Sequence, residues 1–279
     1  VLTAFAVSSH LHLVLVGWDA SLMGYHSFRQ AQTGLLIRQF VQDGVNWASP
    51  LPLFGPPWYL PFEFPFYQAT AAWVAQIFHL PIEQAARATS LGYLYLGLVA
   101  VYKILGEVSL PRLQRWPILA LLLLTPTYLY YARSALIESC AWAMSWWFLW
   151  TFIRGMKSKD FRWMTLSIAT GILAGLVKIT TFAAFLIPAG MYTLVRLRHA
   201  AKQVEVSWLT ELRRAALMMI PGVVAAGIWV MVSDDLKRTN DLAAVLVSSS
   251  LRGFSLGTVD LRLSAEFWLT MWKNIGVGL

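Results

Sequence analysis

Long apolar runs separated by short polar stretches dominate the chain. A helix that crosses a membrane needs about 20 predominantly apolar residues. Runs that approach this length lie at about 1–18, 88–105, 116–132, 139–154, 163–178, 180–197 and 214–232, with a shorter and weaker run at 64–80. This pattern predicts an all-α fold, a polytopic transmembrane helical bundle.

Basic residues cluster in the short connections between these runs. The clusters comprise Lys103, Arg112 and Arg115; Arg154, Lys157, Lys159 and Arg162; and Arg196, Arg198, Lys202, Arg213 and Arg214. Because Lys and Arg beside spanning helices mark cytoplasmic loops, we expect all three clusters to be cytoplasmic. Alternation then places 18–66, 130–138, 178–181 and 233–279 on the opposite face, provided that 64–80 and 88–105 together make an odd number of passes.

The segment 18–66 is predicted to be a long first external loop that contains an interfacial helix. Its stretch FRQAQTGLLIRQFVQDG is amphipathic and ends at Gly44, a residue type that commonly closes helices. We expect one apolar face formed by Phe28, Leu35, Leu36 and Phe40.

Six prolines interrupt the next stretch, NWASPLPLFGPPWYLPFEFP, and exclude a regular helix or strand there. Aromatic side chains in this stretch would be costly to leave in water, so we expect an ordered loop that folds back as a lid over a site. They are Trp47, Trp58, Phe62 and Phe64.

Composition supports a membrane protein and narrows the function classes. Hydrophobic residues make up 58% of the chain and charged residues only 13%, which is too apolar for a soluble domain. The 14 Trp and 10 Tyr fit aromatic belts at headgroup level. A net charge of +8 would suggest nucleic acid in a soluble protein, but here the basic residues serve topology, and no nucleic-acid partner is expected. The single cysteine, Cys140, excludes an intrachain disulfide and a cysteine-based metal cluster.

The ends of the chain indicate a segment of a longer protein. It begins within a hydrophobic run without an initiator Met and stops at WKNIGVGL. We expect one transmembrane module over 1–279, truncated at both ends, whose first run is a retained anchor rather than a cleaved signal. The region 233–279 is predicted to be an external loop followed by the start of a further helix.

A few ionisable residues lie where an apolar chain has little reason to keep them. Glu63, within PFEFPF, is a carboxylate among aromatics that needs a cation or a metal as partner. Pairing with Arg29 or Arg87, which would merely hold the loop down, is the structural alternative.

A second group of ionisable residues flanks later apolar helices. Arg133 and Glu138 are five positions apart at the start of one such helix, and Lys178 follows the run Gly171–x3–Gly175, which lets helices approach closely. Ionisable residues at this depth are rare and functional by default. A structural ion pair for Arg133 and Glu138, and snorkelling for Lys178, are the alternatives.

The topology collects these residues on one membrane face, as an acid and base site beneath the aromatic loop. The set is His26, Arg29, Gln30, Gln32, Glu63, Arg133, Glu138 and Lys178. Carboxylates supply a general base or a metal ligand, whereas Arg and Lys neutralise phosphate. The combination suits a substrate with a phosphate leaving group and an acceptor hydroxyl. An ion pathway would instead place charges at several depths, which the helix centres lack.

Four motifs in order resemble the GT-C membrane glycosyltransferases, specifically relatives of protein O-mannosyltransferases and lipid A aminoarabinose transferases. The motifs are HSFRQAQTGLLIRQF, EFPFYQ, ARSALIES and GLVKITTF. The pattern is most similar to bacterial members with HxFRQxQT, then PWxxPxEFP, then RxxxIES. The resemblance spans most of the chain and implies a GT-C-like bundle in the bacterial inner membrane.

The resemblance implies inverting transfer of a sugar from a polyprenyl-phosphate carrier to a glycan, lipid or protein acceptor on the non-cytoplasmic face. Glu138 would match the second acidic position of the family, and Lys178 with Arg133 would face the carrier phosphate. The resemblance leaves open whether the site binds a divalent metal ion. Glu63 and Glu138 would hold such an ion.

The chain departs from the family at the acidic residue that better-known relatives carry in the first external loop, the first-loop acid. Arg29 and Gln30 stand at that position, and Gln32 is not acidic either. Glu63, Asp19 or Asp43 takes this role, or this branch uses another mechanism, or the site binds without turnover. His26, Arg29, Gln30 and Gln32 are then a polar lining for sugar and phosphate.

Two other functions fit the same pattern. A transporter or flippase for a polyprenyl-linked glycan would use the same phosphate contacts, but it would be expected to show pseudo-symmetric repeats, and the sequence shows none. A catalytically silent binding protein is the other alternative, and the missing first-loop acid favours it.

Overall fold

The computed structural model describes residues 2–22, 25–48, 51, 53, 55–56, 60–158, 160–201, 207–251, 253 and 257–277. They fall into two compact units. The first comprises residues 1–49 and 63–229, and the second comprises 50–62 and 230–279. The described residues are helical and contain no strand, which confirms the predicted all-α class.

The helices follow one another with short connections. In chain order they are α1 (Leu2–Leu15), α2 (Ser27–Asp43), α3 (Phe66–Phe78), α4 (Ile82–Glu107), α5 (Arg112–Leu124), α6 (Pro126–Ala132), α7 (Glu138–Lys157), α8 (Phe161–Val177), α9 (Ile179–Ala200), α10 (Trp208–Arg238), α11 (Asp241–Ala244), α12 (Val259–Leu263) and α13 (Ala265–Val277).

Three of these helices are long and apolar enough to cross a membrane, namely α4, α9 and α10. They coincide with the predicted runs at 88–105, 180–197 and 214–232. The helices α1 and α8 are also apolar but shorter, with 14 and 17 residues. The predicted run at 64–80 forms only the 13 residues of α3.

The prediction of one helix over 116–132 is wrong. The chain forms α5 and α6, which are separated at Thr125, whose ψ of 127° is extended. Pro126 is the cause, because the proline ring disfavours helical geometry in the preceding residue and lacks the N–H that would continue the helix. Pro126 then begins α6, where a missing N–H costs nothing.

The predicted helix after residue 27 is confirmed as α2, which ends at Gly44 with a φ of +85°. The predicted apolar face is partly wrong. Leu36 and Phe40 are buried, but Phe28 is 64% exposed. Helical spacing explains the difference, since positions 30, 33, 37 and 40 form one stripe and residue 28 lies off it.

Close contact between α8 and α10 depends on glycine. A Cβ added to Gly175 would lie 2.5 Å from the carbonyl oxygen of Gly222, and a Cβ at Gly222 would lie 2.6 Å from that of Gly171. Side chains at these positions would therefore push the two backbones apart. The predicted role of the Gly171–x3–Gly175 run in helix approach is confirmed.

A buried hydrogen-bond chain connects α3, α4 and the turn after α6. The Tyr67 hydroxyl donates to the Ala86 carbonyl and lies 2.8 Å from the Ser90 hydroxyl, which donates to the Ser134 carbonyl. Tyr67 is fully buried, so its hydrogen bonds are shielded from water. The chain fixes the turn that leads from Arg133 to Glu138.

The second unit has hydrogen bonds of its own. Ser233 donates to the Pro61 carbonyl, and the Asn240 side chain donates to the carbonyls of Gly55 and Pro56. The Asp234 carboxylate accepts from the backbone and the hydroxyl of Ser248. These bonds connect the described part of the proline-rich segment to the end of α10.

Candidate functional site

Glu138 and Lys178, both in the first unit, form an ion pair. The Lys178 ammonium nitrogen lies 2.8 Å from Oε1 of Glu138, and both side chains keep about a quarter of their surface exposed (28% and 25%). Glu138 is the first residue of α7, and Lys178 is the extended residue between α8 and α9, with a φ of −161°. The pair therefore fixes three helix ends relative to one another.

The second carboxylate oxygen of Glu138, Oε2, is buried and has no hydrogen-bond partner among the described residues. A buried carboxylate oxygen without a donor costs free energy, of the order of 1–3 kcal/mol or more for a charged group. A bound hydroxyl group that donates to Oε2 would recover this loss.

Glu138 lines a cavity of about 370 Å³, which we call the glutamate cavity. Hydroxyl-bearing and aromatic side chains make up most of its wall. The lining residues are Leu94, Thr125, Thr127, Tyr128, Tyr131, Glu138, Ser139, Trp142 and Thr181. Such a wall can hold a polar organic molecule through hydrogen bonds and ring stacking.

Arg133 lines a different cavity of about 400 Å³, which we call the arginine cavity. Its other lining residues are Gly17, Ala20, Ser21, Tyr25, Gln30, Arg87, Pro126, Leu129, Tyr130 and Ser134. Arg133 is exposed, and its guanidinium makes one long hydrogen bond, 3.5 Å, to the Leu13 carbonyl.

The short helix α6 contributes to both cavities. Leu129 and Tyr130 line the arginine cavity, whereas Tyr128 and Tyr131 line the glutamate cavity. Arg133 and Glu138, which the sequence predicts in one site, thus line separate cavities on two faces of α6.

Glu63 pairs with Arg29 rather than with Arg87. The Arg29 Nη2 atom lies 2.5 Å from Oε1 of Glu63, and both side chains are partly exposed. The Phe64 N–H donates to the Leu176 carbonyl, 3.3 Å away, which attaches the Glu63 segment to the end of α8, close in sequence to Lys178. The ion pair with Arg29 is therefore the structural alternative that the sequence offered for Glu63.

Gln30 bridges two backbone segments. Its amide nitrogen donates to the Tyr25 carbonyl at 2.8 Å, and its amide oxygen accepts from the Ala135 N–H at 3.1 Å. Gln30 is 5% exposed, and its bond with Ala135 is buried. The side chain holds the turn after α6 against α2, in addition to its place in the wall of the arginine cavity.

The remaining predicted site residues lie at the surface. His26 is exposed, has a left-handed φ of 57° before α2, and contacts the Tyr25 ring at 4.3 Å between ring centroids, with the two planes tilted by 54°. Gln32 accepts a weak hydrogen bond of 3.5 Å from Arg29. Asp19 is exposed and accepts from the Gln84 amide.

Arg87 is the residue that sequence reasoning missed. It is 5% exposed, and its guanidinium donates to the carbonyls of Trp18, Ala20 and Arg133 at 2.7, 2.7 and 3.1 Å. The available signal was an arginine six residues into a long apolar helix, a position that is rarely charged without a reason.

The predicted lid can be described only in part. Trp47 stacks on Phe64 with ring planes 4° apart, and Phe64 meets Trp229 edge to face. These contacts agree with order at the two ends of the loop. Trp58 and its neighbours at 57 and 59 lie outside the described residues.

The donor set does not fit a divalent metal ion. Within the described residues no three His, Cys, Asp or Glu side chains come together. Glu63 and Glu138 each already have a cation within hydrogen-bond distance, which a metal would have to displace.

Comparisons of the chain with family models, with curated proteins and with solved structures gave no match. The resemblance to GT-C transferases therefore rests on the four motifs.

Proposed function

We propose that this protein is a polytopic membrane glycosyltransferase with a GT-C-like fold. It transfers a sugar from a polyprenyl-phosphate carrier to an acceptor hydroxyl at the non-cytoplasmic face of the bacterial inner membrane. The observation that carries the proposal is the different environment of the two carboxylate oxygens of Glu138. One oxygen of this carboxylate is held by Lys178. The other is buried, has no hydrogen-bond partner among the described residues, and belongs to a side chain that lines the glutamate cavity.

Glu138 acts as the general base. The acceptor hydroxyl in the glutamate cavity donates to Oε2 and gives up its proton to it as the acceptor oxygen attacks the anomeric carbon. The bond between that carbon and the carrier phosphate breaks, its electron pair remains on the phosphate, and attack from the opposite side inverts the anomeric centre. The carrier leaves as a polyprenyl phosphate.

Lys178 stabilises the charge that develops on the leaving phosphate. Its ammonium group has three N–H donors, and one of them is directed at Glu138. Lys178 also precedes the first turn of α9, whose Thr181 lines the glutamate cavity. Helix N-termini favour anions, so Lys178 and the start of α9 would act on the phosphate together.

The helices support a membrane location. The three apolar helices α4, α9 and α10 are long enough to span, and α1 and α8 are apolar but shorter. We infer the polytopic arrangement, and the position of the site on the non-cytoplasmic face, from the positive-inside rule.

A catalytically silent binding protein for the same lipid is the second candidate. The observation that favours it is that Glu63 and Glu138 are both ion-paired. A carboxylate held by a cation is a weaker base than a free one, whereas an ion pair is fully compatible with binding.

The test is a transfer assay with protein in lipid nanodiscs. Undecaprenyl-phosphate-linked sugars serve as donors, an added glycan or water supplies the acceptor hydroxyl, and released undecaprenyl phosphate is measured. The wild-type protein is expected to release it, and Glu138→Gln is expected to lose at least about 100-fold in rate, the usual scale of a general base.

The matched control is Glu107→Gln. Glu107 also pairs with a lysine at 2.8 Å, from Lys157, and does not line either cavity. Its variant is expected to keep its rate. Full activity of Glu138→Gln would exclude Glu138 as the base, and donor binding without release in the wild type would favour the silent binding protein.

A further inference from the structure

The arginine cavity has an excess of positive charge. Arg87 and Arg133 both line it, and none of its described lining residues is acidic. No ion pair that involves either arginine is found in the described part of the chain. Two guanidinium groups thus share one cavity without a carboxylate.

The hydrogen bonds of Arg87 orient its guanidinium but do not neutralise it. Its acceptors are backbone carbonyls, including that of Arg133 itself. Glu83 and Asp19 act on Arg87 through space, but neither forms an ion pair with it in the described part of the chain and neither lines the cavity. A bound anion would contact the guanidinium groups directly, and guanidinium groups recognise phosphate through paired N–H donors.

The depth of the cavity favours a lipid as the source of this anion. Arg87 is the sixth residue of α4, a helix of 26 residues that is long enough to cross a membrane. Such a helix is about 39 Å long at about 1.5 Å per residue, and the hydrocarbon core is about 30 Å thick. Its first turns therefore lie close to the level of the lipid phosphates.

We propose that the arginine cavity binds the phosphate group of an anionic membrane phospholipid. The guanidinium of Arg133, which is exposed and makes one weak hydrogen bond to the described part of the chain, closes on the phosphate, and Arg87 provides a fixed charge behind it. The site is separate from Glu138 and Lys178 because α6 contributes different residues to the two cavities. It does not depend on sugar transfer.

The test measures phosphatidylglycerol binding to the purified protein by native mass spectrometry, with phosphatidylcholine as the neutral reference. Arg133→Gln is expected to lower phosphatidylglycerol affinity about tenfold, the value of one charge-assisted hydrogen bond. Arg38→Gln, which removes an exposed arginine from α2, is the matched control and is expected to stay within about twofold. Lys178→Ala is expected to leave this affinity unchanged.

Three results would overturn the proposal. Wild-type affinity in Arg133→Gln would remove Arg133 from the site. An equal loss in Lys178→Ala would mean that the two cavities hold one ligand. Displacement of phosphatidylglycerol by an equal concentration of inorganic phosphate would identify a site for a soluble anion rather than for a lipid.

Discussion

Lys178 pairs with Glu138 at the only residue that separates α8 from α9. Its side chain is thus positioned by two helices, while Glu138 is positioned by the start of a third, α7. Because each partner sits at a helix end, the distance between them depends on the packing of α7, α8 and α9.

Lys178→Ala is expected to weaken binding of undecaprenyl phosphate by about 10- to 100-fold, because a charge-assisted hydrogen bond to the phosphate is lost. Affinity would be measured on protein in nanodiscs by native mass spectrometry. Lys157→Ala, which breaks the similar pair with Glu107, is the control and should bind normally. Unchanged affinity in Lys178→Ala would leave snorkelling as the role of this lysine.

Glu63→Gln is expected to retain donor turnover within about threefold and to lower stability by no more than about 1 kcal/mol, since its partner Arg29 is about one-third exposed. Release of undecaprenyl phosphate and thermal unfolding in detergent would be measured together. Loss of turnover with unchanged unfolding would make Glu63 the first-loop acid and contradict our choice of Glu138 as the base.

Gln30→Ala is expected to lower the free energy of unfolding by about 1–3 kcal/mol, because it leaves the buried Ala135 N–H without its acceptor. The readout is the midpoint of thermal unfolding in detergent. Gln32→Ala, which removes one 3.5 Å contact, should shift the midpoint little. Equal shifts in the two variants would show that the hydrogen bonds of Gln30 do not contribute to stability.

Gly175→Ala is expected to destabilise the protein by about 1–3 kcal/mol through overpacking, because the added Cβ would meet the Gly222 carbonyl oxygen at 2.5 Å. Gly227→Ala is the matched control, since a Cβ there meets nothing within 4 Å, and its higher helix propensity should leave stability equal or slightly raised. Thermal unfolding distinguishes the two, and an equal response would contradict the close approach of α8 and α10.

Hydrophobic runs were sufficient to predict the long helices, since α4, α9 and α10 each fill a run of the right length. Run length alone does not predict the break between α5 and α6, because Thr125 and Pro126 lie within continuous apolar sequence. The exposed Phe28 shows the complementary limit. An apolar side chain near a helix start need not face the core.

The pairings within the candidate site were harder to predict. The residue type of Gln30 does not reveal whether its side chain binds a sugar or a buried backbone N–H. Only the fold brings Ala135 next to it. Likewise, five residues separate Arg133 from Glu138, yet the turn between them directs the two side chains to different cavities. Helical spacing could not predict this, because Arg133 and Glu138 both lie beyond the last residue of α6.

The carbonyl partners of Arg87 have a consequence for biosynthesis. Trp18 and Ala20 precede Arg87 by 69 and 67 residues, whereas Arg133 follows it by 46. As the chain leaves the ribosome, the connector after α1 is already available when α4 enters the membrane. The charge of Arg87 can therefore be solvated by earlier backbone before α6 is made, so that α1 and α4 can assemble as a pair that later helices join.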